Sequence, residues 1–126
     1  MKKYEVEAPE MTGPAIGHYS EGLVAEHLFF SGMAGTRGDG TVADSVYEQT
    51  KQIFANVEAL LKKAGGSLND IVNVMVYLTD LNDFAEMNRA YKECITEKPL
   101  PARATVQVAG LLEDFKVEMV ITAYLP

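Results

Sequence analysis

The chain has 126 residues, 48% of them hydrophobic and 23% charged, with a net charge of −7. That is the size and make-up of one soluble globular domain spanning 1–126. It lacks the basic surface a nucleic-acid binder needs, and no apolar run reaches the roughly 20 residues that span a bilayer. A basic start, Met1-Lys2-Lys3, leads into no apolar segment, so neither signal peptide nor membrane anchor is expected and the cytoplasm is the default location. One cysteine, Cys94, allows no internal disulfide. His18 and His27 have no cysteine partners nearby, so no metal site is expected.

Residues 3–7 predict a short strand, and 8–22, rich in Gly and Pro, an ordered loop. Two short strands follow at 23–25 and 28–31, with Glu26-His27 at the turn between them. After Asp39-Gly40, a tight-turn signal, comes the clearest helix. Asp44 or Ser45 can cap it, Val46, Ile53, Phe54, Val57, Leu60, Leu61 and Ala64 recur at helical spacing, and Gly65-Gly66 stops it.

Residues 71–78 (IVNVMVYL) read as a strand. Alternation places Val72, Val74, Val76 and Leu78 on a helix-covered face and Ile71, Asn73, Met75 and Tyr77 on the other. A second helix is expected from Asn82 or Asp83 to Thr96, with Phe84, Met87, Tyr91 and Ile95 as its apolar stripe. Prolines at 99 and 101 end it. Strands at 103–109 and 116–124 complete the order βββαβαββ. This is an α+β pattern, one mixed sheet with both helices on the same face. The opposite face is expected to carry Asn73, Met75, Tyr77, Arg103, Thr105, Glu118 and Val120. A face so mixed suits a subunit interface or ligand cleft.

Arg103 sits in Pro101-Ala102-Arg103-Ala104-Thr105, a segment stiffened by proline. Its planar guanidinium can grip a carboxylate with two parallel hydrogen bonds. The ordinary alternative is a solvated strand-edge cation.

The sequence resembles the RidA (YjgF-like) family of small deaminases of reactive imines and enamines. The resemblance rests on Ala15-Ile16-Gly17-His18-Tyr19-Ser20-Glu21-Gly22, on Phe30-Ser31-Gly32, on the D-I-V strand and D-L-x-D-F pattern within 66–87, on Asn88 and Tyr91, on Pro101-Ala102-Arg103, and on Val117-Glu118. It implies a chorismate-mutase-like fold and a homotrimer, with the three sheets lining a barrel and three clefts between subunits. It also implies site roles. Arg103 would bind a carboxylate and Glu118 position the catalytic water, although a salt bridge is the plainer role for such a glutamate. Tyr19, Ser31, Asn88 and Thr105 would contact or brace a substrate. For these the plainer roles are loop anchor, strand-end turn residue and local hydrogen bonding. Thr105 stands where many members have cysteine. Met33-Ala34-Gly35 and Leu111-Leu112-Glu113 depart from the family's usual runs beside the cleft, which bears on substrate preference.

The activity so implied is hydrolytic deamination of small 2-imino or 2-enamino acids such as 2-aminoacrylate, giving a 2-keto acid and ammonia without metal or cofactor. Deamination of a ring-cleavage or pyrimidine-catabolic enamine of the 2-aminomuconate type is a second reading. A non-catalytic metabolite-binding regulator or chaperone-like trimer is a third. Ribonuclease or translation-inhibitor activity, a label attached to the family, fits poorly with a net charge of −7.

Overall fold

The structure is a computed structural model and describes residues 2–126. Strand β1 (Lys3–Val6) precedes a one-turn helix α1 (Pro9–Thr12), then β2 (Gly22–Ala25) and β3 (Leu28–Ala34). Helix α2 (Val46–Lys63), β4 (Ile71–Leu78), α3 (Phe84–Cys94), β5 (Ala102–Gln107) and β6 (Val117–Tyr124) follow. The six strands form one sheet in the order β1-β2-β3-β6-β4-β5. Only the β4–β5 pair is parallel, so the sheet is mixed. The expected α+β order βββαβαββ is present, with α1 added inside the predicted 8–22 loop, where Pro9 opens the turn.

Helix α2 forms because an apolar stripe is flanked by good termini. Ser45 caps it by accepting from the Glu48 N–H at 3.1 Å, and Lys62 and Lys63 close the last turn beside the carbonyl end. Ile53, Phe54, Val57, Leu60 and Leu61 are buried against Val74, Val76, Met119 and Ile121 of the sheet, and Met87 and Tyr91 of α3 belong to the same core. Burying each such side chain is worth about 1.5–3 kcal/mol.

The buried polar residues of α2 hold the loops around one end of the sheet. The Gln49 amide donates to the carbonyls of Ala43 (2.8 Å) and Asp114 (3.2 Å), and its oxygen accepts from the Lys116 N–H (2.8 Å). Asn56 donates to the Thr36 carbonyl at 2.9 Å. Gly35 passes so close to α2 that a Cβ there would lie 2.7 Å from the Gln49 carbonyl oxygen.

Two expectations about faces need correction. In β4 a register shift between Ile71 and Asn73 turns Ile71 into the core and leaves Val72 47% exposed. The bulge reverses the alternation for that residue pair only. In β5 the pairs Val74↔Arg103 and Val76↔Thr105 put Arg103 and Thr105 on the helix side of the sheet. Ala104 and Val106 lie beside Met75 and Tyr77 on the open side. Alternation groups residues correctly but does not say which group faces the helices. The open side here is itself apolar, with Phe30, Val106 and Val120 each 38–40% exposed, so the small apolar set of β5 belongs there.

Candidate active site

The predicted site residues fall into two groups. The first is built on β5 and α3. Arg103, half-buried, donates from Nη1 to the Asn88 side-chain oxygen at 2.8 Å. Its guanidinium carbon lies 4.6 Å from the centre of the Tyr91 ring and 5.5 Å from that of Phe84. These contacts fix the plane of the guanidinium without neutralising it. Among the described residues Arg103 forms no ion pair, whereas Arg89 is paired to Glu86 and Glu93. Thr105 lies two residues along the same face, half-buried. The Tyr91 hydroxyl is buried beside this cation with no hydrogen-bond partner among the described residues. Burial pushes its phenol up, and the Arg103 charge pulls it the other way.

The second group lines a groove of about 300 Å³ between the 12–21 loop, the ends of β3 and β6, and the 111–115 turn. Tyr19, Glu21, Gly32, Met33, Leu112 and Glu118 face it. Tyr19 is half exposed, and its hydroxyl accepts from the Ile16 N–H at 3.3 Å, which pins the loop. Glu118 is on the open side of β6, opposite Tyr77 and Ala34, and half-buried. Loss of water around the half-buried Glu21 pushes its carboxyl above the usual range.

Ser31 belongs to neither group as a free hydroxyl. It is buried, pairs with Ile121 on the core side, and donates to the Glu21 carbonyl at 2.5 Å. Its neighbours Gly32 and Met33 face the groove instead.

Arg103 and Glu118 were expected on one face, and the register places them on opposite faces with β4 between their strands. One chain therefore presents two separate surfaces, a cation on one and carboxyl groups on the other. Neither Glu21 nor the Gln49 tie that shapes the groove stands out in the sequence. Glu21 sits in a loop segment without periodicity, and Gln49 looks like an ordinary polar residue between apolar helix positions.

The family model described as Endoribonuclease L-PSP matches residues 10–125. A 2-iminobutanoate/2-iminopropanoate deaminase from Salmonella typhimurium is 38% identical over 116 residues, covering 89% of this chain and 91% of that protein. The chain belongs to the RidA (YjgF-like) family. A RutC family protein of Pyrococcus abyssi is 42% identical over 123 residues, covering 95% of this chain and 96% of that one. Among RidA-like solved structures, E. coli TdcF with bound serine superposes with a TM-score of 0.89 at 35% identity, covering 98% of this chain and 99% of that one. The family thus includes proteins named as imine deaminases, and the fold is that of its members. Among the described residues no helix is long and apolar enough to cross a membrane.

Proposed function

We propose that this protein hydrolyses small 2-imino or 2-enamino acids, such as 2-aminoacrylate, to a 2-keto acid and ammonia. The observation that carries the reading is the half-buried, unpaired and oriented Arg103 guanidinium. A buried-side cation held by a neutral oxygen and two ring faces is set up for a carboxylate ligand. Serine, the ligand of the related TdcF structure, is a small amino acid with such a carboxylate. The deaminase named among the relatives supports the reaction class.

In this reading Arg103 fixes the substrate carboxylate, Asn88 holds the guanidinium, and Thr105 borders the bound acid. Glu118 positions water against the C=N carbon, and Tyr19 covers the groove. Because the two surfaces lie on opposite faces of one sheet, the site is completed between copies of the chain, with Arg103 of one copy over the groove of the next. The apolar open face, bearing Phe30, Val106 and Val120, supports association into a homotrimer. Among the described residues no lysine or arginine lines the groove, which favours the nitrogen end of a substrate there and argues against a phosphodiester.

The test uses a pyridoxal-phosphate-dependent dehydratase to release the imine and follows its disappearance. Acceleration by the wild-type protein, reduced about 10²-fold or more in Arg103→Ala, is the expected outcome. No acceleration, or an equally fast variant, refutes the assignment.

A further inference from the structure

The groove contains two carboxyl groups with different surroundings. Glu118 projects from a β-strand. Glu21 comes from the loop that closes the groove, and among the described residues its side chain makes no hydrogen bond or ion pair. The Glu21 backbone is nevertheless fixed, because its carbonyl receives the Ser31 hydroxyl at 2.5 Å. The titratable groups lining the groove and the adjoining cavity with it are Tyr19, Glu118, Glu5 and Glu7. None is a cation that could hold Glu21 ionised.

We propose that Glu21 is the general acid of the imine hydrolysis, donating its proton to the substrate nitrogen while Glu118 takes one from the attacking water. The inference rests on the deaminase reading above. Loss of hydration in the groove raises the Glu21 carboxyl. Two carboxyls in different surroundings, one on a strand and one on a closing loop, can divide the acid and base roles between them.

The step balances. Water oxygen bonds to the imine carbon as its proton passes to the Glu118 carboxylate. The C=N π pair moves to nitrogen, which takes the Glu21 proton and leaves a carbinolamine. The C–N bond then breaks, ammonia departs with the Glu118 proton, and the hydroxyl proton returns to Glu21 as the ketone forms. Both residues end as they began, and no further reactant is needed.

The decisive variant is Glu21→Gln, assayed beside Arg103→Ala from the ordinary glutamate range to alkaline pH. For Glu21→Gln the expected result is a fall of about 10²-fold in kcat/KM, with loss of the wild-type decline that follows Glu21 deprotonation as pH rises. Pyruvate, a 2-keto acid probe, should still bind, since Arg103 is intact. A separate readout needs no turnover. The protonated-carboxyl infrared band that is absent from Glu21→Gln should titrate, in the wild type, above the ordinary glutamate range. Folding gives a third. A carboxyl raised in the native state makes that state bind more protons than the unfolded chain. Wild-type stability therefore falls as pH rises from the ordinary glutamate range through the raised value. Glu21→Gln lacks that slope and is the more stable protein at neutral pH. If Glu21→Gln keeps wild-type kcat/KM and pH profile while Arg103→Ala is inactive, the acid role is wrong and the deaminase reading stands. A Glu21 band that titrates in the ordinary glutamate range also overturns the acid role. If wild-type protein accelerates nothing, the deaminase reading itself fails.

Discussion

A guanidinium held by one neutral oxygen and two aromatic faces keeps its full charge for an incoming anion. Asn88 is therefore as informative as Arg103 itself. Asn88→Asp places a carboxylate where the structure has an amide oxygen, 2.8 Å from Nη1. The new anion would occupy the charge that the substrate carboxylate needs. Asn88→Ala only loosens the guanidinium. The expected ranking of pyruvate affinity, by calorimetry, is wild type over Asn88→Ala over Asn88→Asp. The charged variant should lose about 10-fold or more, the scale of one charge-assisted hydrogen bond. Equal affinity in wild type and Asn88→Asp would mean that the anion binds elsewhere. Arg103 was legible in the sequence because the chain has few cations and this one sits in a proline-stiffened strand. Glu21 was not, because its significance lies in what it lacks as partners, which only the folded loop defines.

At the scale of elements, the helices and strands followed from local pattern, while the faces of β4 and β5 depended on neighbours. Ser45, the apolar stripe of α2 and the glycine stop act within one segment, so the sequence suffices to place them. The Ile71/Asn73 bulge and the orientation of Arg103 depend on pairing with β6 and β4, which alternation inside one strand cannot specify. The close pass of the 35–43 loop over α2 is another tertiary feature. Gly35→Ala would bring a Cβ within 2.7 Å of the Gln49 carbonyl, a backbone atom with little freedom to yield. Overpacking of this kind costs about 1–3 kcal/mol. The expected result is a lower denaturation midpoint and weakened activity, because Met33, Ala34 and Thr36 beside it line the groove. Unchanged urea unfolding would show that the loop moves freely away from the helix.

For the whole molecule, the sheet is covered by helices on one side and bare on the other, and the two proposed site residues stand on opposite faces. Arg103 reaches out beside α3, and Glu118 stands on the open side two strands away. A ring of identical copies with head-to-tail contacts uses both surfaces of every member. The genetic consequence is complementation between defective alleles. Under the proposed mechanism, Arg103→Ala and Glu118→Gln chains are each expected to be inactive alone. Unfolded together and reassembled in equal amounts, they form some junctions that take the arginine from one parent and the glutamate from the other. Random mixing around a closed ring restores about a quarter of the junctions, and activity should return to that level. Mixing that restores nothing would place both residues in one chain's own site. In the proposed ring, a strand pairing that separates two side chains within a subunit becomes, in the population, a rule of complementation: each chain is judged by its neighbour as much as by itself.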